Sequence, residues 1–168
     1  MILYKGGPKM SGESSNSYQK QVYIDNTIKL RGVLNTLPEF AKDYFRSIEP
    51  TSSPRTRISY AYDIRVFFQF LLETNPKFKD FQMTDFRITD LEDLTPLDIE
   101  EYQEYLKVYQ SSNQRLVTNT EKGLSRKMSS LRSFYAYYYK RELIHKNPTL
   151  LVNMPKLHEK AIIKMDSD

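Results

Sequence analysis

Cysteine is absent from the chain, and histidine occurs only as His145 and His158. Without a thiol there is no cysteine nucleophile, no Cys-bound zinc and no iron–sulfur cluster, and two histidines are too few for a multi-histidine metal site. The lack of cysteine also fits a reducing, cytoplasmic address. No apolar run approaches the roughly 18 residues that a membrane span needs, and the N-terminus has no apolar stretch of the secretory kind, so no membrane association is expected. The phosphate-loop pattern GxxxxGK, the nucleophile pattern GxSxG and the zinc pattern HExxH are missing as well. His145 falls just past a helix C-terminus and His158 in the tail, where both read as structural or solvated. The sequence therefore predicts no catalytic residue, no cofactor, no metal and no small-molecule substrate for this chain.

What is present fits one folded domain. The chain has 168 residues, 39% of them hydrophobic; at that size folding can bury roughly 68–70% of the extended-chain surface without staples. Its charge is unevenly placed. Asp80, Asp85, Asp90, Glu92, Asp93, Asp98, Glu100, Glu101 and Glu104 are set against only Arg87 and Lys107. From Gln114 to Lys146 the sign reverses, with Arg115, Lys122, Arg126, Lys127, Arg132, Lys140, Arg141 and Lys146 facing only Glu121 and Glu142. A fold with one such basic face attracts polyanions there and repels them elsewhere.

Periodicity organises the chain into helices. Small polar residues up to Ser17 read as a flexible arm, followed by a weak helical pattern from Tyr18 to Leu34. Phe40, Ala41, Tyr44, Phe45 and Ile48 follow helical spacing behind Pro38. Ser53-Pro54 is an N-cap signal for a helix to about Thr74, with Tyr60, Ile64, Phe67, Phe68 and Leu71 as its stripe. Asn75 to Leu94 reads as a long irregular connection with room for a short helix, of the kind often functional or mobile. Thr95-Pro96 opens another helix with an apolar set reaching Tyr109, and Ser111 to Asn119 reads as a loop. The last long helix spans about Thr120 to Leu143; Asn147-Pro148 ends it before a short capping turn. No strand alternation stands out, so the class is all-α.

The last helix is the most informative. At about 100° per residue, Leu124, Met128, Leu131, Tyr135 and Tyr138 fall on one side, and Lys122, Arg126, Ser129, Ser130 and Ser133 on the other. That polar side has no acid between Lys122 and Ser133, whereas a merely solvated helix mixes Glu and Lys at four-residue spacing. Small Ser side chains let a helix approach a sugar–phosphate strand, and Lys122 and Arg126 supply charge to phosphates or reach guanine edges. The helix from Pro54 carries a weaker face of the same chemistry in Arg55, Thr56, Ser59 and Tyr62.

Two stretches resemble the N-terminal core-binding, or SAM-like, domain of the tyrosine recombinases, the phage-integrase and Xer-like enzymes. The first is Arg55-Thr56-Arg57-Ile58-Ser59-Tyr60-Ala61-Tyr62-Asp63-Ile64, followed by Phe67 and Phe70-Leu71; the second runs from Leu124 through Arg126, Met128, Ser129, Leu131, Arg132 and Phe134 to Tyr135. Asn147-Pro148 and Pro155-Lys156 are similar to the family's exit into an interdomain linker. The resemblance implies a compact bundle of four to five helices that forms one jaw of a clamp on double-stranded DNA, alongside other recombinase protomers. It implies an arm over 1–36, the core-binding domain over 37–153, and a linker over 154–168 toward a catalytic domain that this chain lacks; with no H-x-x-R pattern, no tyrosine here is assigned as nucleophile. It assigns Thr56 and Ser59 to phosphate, and Lys122, Ser125, Arg126, Ser129 and Ser133 to phosphate or groove, while Asp63 and Tyr60 hold the fold. The competing expectation is an all-α protein-interaction module whose acidic and basic helices meet complementary partners.

Overall fold

The computed structural model of the chain describes residues 11–158. Six helices and one small hairpin make up this part: α1 (Ser11–Leu34), α2 (Ala41–Ser47), α3 (Pro54–Thr74), α4 (Ile88–Glu92), α5 (Pro96–Tyr105), β1 (Val108–Gln110), β2 (Leu116–Thr118) and α6 (Glu121–Lys140). The all-α class holds, with the two-stranded hairpin as its one departure.

The helix starts follow local chemistry. Ser53 caps α3 by accepting a hydrogen bond from the Thr56 backbone N–H at 3.2 Å, with Pro54 in the first turn where its missing N–H costs nothing. Thr95 caps α5 and Thr120 caps α6 in the same way. Three acids close caps from the other side: the Asp85, Asp90 and Asp98 carboxylates accept from the backbone N–H groups of Gln82, Arg87 and Thr95 at 2.7, 2.7 and 2.8 Å.

The core is aromatic and centres on the crossing of α3 and α6. Phe67, Phe68, Phe134, Tyr135 and Tyr138 are buried there. Phe134 is the hub, with the rings of Tyr44, Tyr138, Phe40 and Phe68 at 5.3, 5.0, 6.2 and 6.2 Å. The Tyr138 hydroxyl donates to the Phe40 carbonyl and that of Tyr135 to the Leu91 carbonyl, so the rings bury their area without leaving the phenols unpaired.

Three regions differ from the sequence expectation. Ser11–Ser17, read as part of a flexible arm, belongs to α1, while Met1–Met10 lie outside the described residues. Leu30 and Val33 near the C-terminal end of α1 are buried, so the helix is nucleated where it packs and extends through residues that local composition alone would not order. The 75–94 connection contains the short helix expected of it, α4, but is otherwise far from loose. Phe78, Phe86, Leu91 and Leu94 enter the core, with Phe86 4.9 Å from Phe68 and 5.0 Å from Phe78. The stretch from Val108 to Thr118, expected as a helix end and a loop, forms the antiparallel hairpin with Tyr109 opposite Val117; strands of three residues carry too little alternation to read in sequence.

Candidate nucleic-acid interface

The α3–α6 pair positions every residue singled out from the sequence. Asp63 of α3 meets Arg126 and Ser130 of α6, while Thr56, about two turns earlier, shares a groove with Ser133, Ala136 and Lys140 near the far end of α6. The two helices are therefore antiparallel, and their outward stripes lie side by side. Arg55 and Tyr62 on α3, and Lys122, Arg126, Ser129 and Ser133 on α6, are exposed; Thr56, Ser59 and Ser125 are half-buried.

Beneath this surface lies a charge cluster that single-helix reasoning could not assemble. Asp63 is only 3% exposed. Its carboxylate accepts from Arg126 Nη2 at 3.2 Å and from Ser130 Oγ at 3.1 Å, and Lys127 Nζ stands 4.0 Å away. Lys127 Nζ itself donates to Asn119 Oδ1 at 2.9 Å. Burial pushes the Asp63 carboxyl above its ordinary range, against the downward pull of Arg126, Lys127 and Ser130. Burial likewise lowers Lys127, against the pull of Asp63. The family expectation that Asp63 holds the fold fits this geometry.

Two residues of the basic region are turned inward. Ser130, placed on the polar side of α6 from its angle, is buried because that angle points at α3 and its hydroxyl is taken by Asp63. Lys127 is buried between the same carboxylate and Asn119. Arg126 is different: its side chain is 53% exposed, with one edge of the guanidinium held by Asp63. A guanidinium has five N–H donors, so this contact orients the group and leaves donors for a second anion.

Hydroxyls line the rest of the stripe. Ser53 Oγ donates to Thr56 Oγ1 at 3.0 Å, which fixes the first turn of α3. Across the groove Ser133 approaches Tyr44, whose phenol is pushed up to about 12 by burial and by Tyr60, against a lowering hydrogen bond from Ser133. Tyr62 carries the Arg65 guanidinium over its ring at 4.8 Å, so its face is already occupied within α3. Among the described residues, no ion pair or hydrogen bond engages the side chains of Arg55, Lys122 or Arg132. Of the tyrosines that sequence left off the α6 stripe, Tyr137 is half-buried beneath Arg141 at 4.7 Å, and Tyr139 is exposed. His145 donates its backbone N–H to Glu92, and exposed His158 contacts Glu121 at 2.9 Å. Among the described residues, no group of three or more His, Cys, Asp or Glu side chains is placed to hold a metal, and no helix is long and apolar enough to cross a membrane.

Comparison with known proteins agrees with this architecture. The chain is 37% identical over 125 residues to a tyrosine recombinase XerC of Caldanaerobacter subterraneus subsp. tengcongensis, a match covering 72% of this chain and 34% of that protein. It is 33% identical over 116 residues to the XerC of Pediococcus pentosaceus, covering 69% and 32%, and 31% identical over 121 residues to that of Lacticaseibacillus casei, covering 72% and 34%. The chain thus spans about a third of the length of the curated relatives it matches. No solved structure gives a significant match. Residues 36–154, which take in α2 to α6 and both helices of the interface, match the phage integrase SAM-like domain; the chain belongs to that family, as a Xer-like tyrosine recombinase N-terminal domain.

Proposed function

We propose that this domain binds double-stranded DNA at a recombination site through the antiparallel α3–α6 stripe, as one jaw of a clamp whose other jaw is a catalytic domain, in an assembly with further recombinase protomers. One observation carries the reading: Lys122, Arg126, Ser129 and Ser133 are exposed on one stripe of α6 beside Arg55 on α3, while Asp63, the carboxylate that pairs with Arg126, is buried beneath. Positive charge is therefore displayed outward along the stripe, and the carboxylate that orients Arg126 is covered by protein. Half-buried Thr56, Ser59 and Ser125 add short donors that keep the helix backbones close to a strand. Strand cleavage in this reading belongs to the catalytic jaw, and the α3–α6 face supplies affinity and orientation.

Affinity for random-sequence duplex, measured from low to moderate salt, tests the proposal. Neutralising about five phosphates makes log K fall with log salt at a slope of about −4 to −5. Reversing charge with Lys122→Glu and removing it with Arg126→Gln, whose amide still donates toward Asp63, flattens that slope while circular dichroism stays helical. Absence of binding, or a salt-independent affinity, overturns the reading.

A further inference from the structure

The hairpin β1–β2 was not foreseen from sequence, and the stripe on α3 and α6 does not account for it. Its root is built firmly. Asn119 Nδ2 donates to the Leu106 carbonyl at 2.6 Å, Asn119 Oδ1 accepts from Lys127 at 2.9 Å, and the Tyr109 ring stacks on Tyr105 at 5.1 Å. Tyr109 is buried at this base, where burial raises its phenol. The base of the hairpin is thus part of the polar cluster that orients Arg126, and β2 leads through Asn119 directly into the Thr120 cap of α6.

The tip has a different character. Ser111 N–H donates to the Arg115 carbonyl and Gln114 N–H to the Ser111 carbonyl, each at 2.8 Å, which closes a tight end. Ser112, Asn113, Gln114 and Arg115 project from it, all exposed. Each of these side chains donates hydrogen bonds, and no carboxylate occurs from Val108 to Thr120. Gln114 has φ 58°, a left-handed backbone that Gly or Asn adopts with less strain. A long polar amide occupies a position where the turn alone favours a smaller residue.

We infer that this hairpin is a second DNA-contacting element, its Ser111–Arg115 tip reaching phosphates or base edges beyond the first turn of α6. A two-stranded ribbon fits the major groove, and donor-rich side chains without acids suit both phosphate and groove edges. The chain runs from the tip through β2 and Asn119 into the first turn of α6, where exposed Lys122 opens the stripe. The inference rests on the duplex reading above and lengthens its footprint.

The test uses the full 168-residue chain and random-sequence duplexes of about one and about two helical turns, roughly 10 and 20 base pairs. In one variant Asn-Gly replaces Ser111–Arg115, a two-residue connection that preserves strand pairing; the others are Arg115→Ala, Gln114→Gly and Lys122→Glu. Arg115→Ala should weaken binding to the longer duplex roughly tenfold and reduce the salt slope by about one. Asn-Gly should erase most of the advantage of the longer duplex over the shorter. Gln114→Gly should raise the thermal midpoint yet lower affinity roughly two- to tenfold, opposite signs that separate contact from folding. If the tip variants bind like wild type while Lys122→Glu weakens binding, the hairpin inference fails and the duplex reading survives. If the tip variants weaken binding and Lys122→Glu does not, the hairpin inference stands and the α6 reading fails. If the unaltered chain binds neither duplex, both fail.

Discussion

The acidic stretch around α4 and α5 and the basic stretch of α6 are both dense in charge, yet the fold uses them in opposite ways. Asp85, Asp90 and Asp98 close helix caps, Glu92 receives the His145 backbone N–H, and Asp93 pairs with Lys77 at 3.2 Å. Only Asp80, Glu100, Glu101 and Glu104 in that stretch remain outside such contacts among the described residues. On α6, Lys122 and Arg132 have no side-chain partner among the described residues, and Arg126 shares only one edge with Asp63. Charge count per segment is therefore a poor guide to function. What matters is whether the folded chain already satisfies the charge: here most of the acids serve architecture, Lys127 is buried against Asp63 and Asn119, and Lys122 and Arg132 are left available.

Four experiments break or sharpen this contrast. Asp63 is the acid buried beneath the basic stripe, and Asp63→Ala, which strands Lys127 in a buried site, should cost about 3–5 kcal/mol in urea unfolding. The next effect is alkaline. Tyr44 is pushed up to about 12, and Tyr102, Tyr135 and Tyr138 are also raised by burial, while an unfolded tyrosine ionises near 10. Folded-state values above the unfolded ones mean that this contribution to stability is intact below pH of about 10 and falls as pH rises toward the folded values. Tyrosinate absorbance from this buried set should therefore appear together with loss of the helical signal. Lys122→Ala should leave stability within about 0.5 kcal/mol and weaken duplex binding roughly tenfold, with a salt slope smaller by about one. Asp98→Ala should do the reverse, costing about 1 kcal/mol through the α5 cap with no change in DNA affinity. An affinity loss in Asp98→Ala, or a large stability loss in Lys122→Ala, would erase the distinction between architectural and available charge.

The same distinction explains what was legible in the sequence. The helices α3 and α6 announce themselves through repeating apolar stripes and cap residues, signals written within a few turns of chain. Arg126 and Ser129 could be placed on an outer face for the same reason. Ser130 could not, because what turns it inward is Asp63, a residue 67 positions away. The 75–94 connection reads as irregular in sequence because Phe78 and Phe86 follow no helical period, and Phe86 joins the core through Phe68 on α3. The hairpin escaped notice because its strands are three residues long and its register depends on Asn119 and Tyr109 meeting α5 and α6. Local periodicity is visible in one segment; pairing between distant segments is not.

The clip that Asp63 makes between α3 and α6 has a calorimetric consequence. Two helices fixed in register by a buried carboxylate present a finished plane, so a ligand laid on it has no chain to order first. Titration into such a plane should give a small heat-capacity change, set by the modest apolar area covered, in contrast to the large negative value of a segment that folds as it binds. Without the clip, the same surface would have to be assembled on arrival, and the heat would show it.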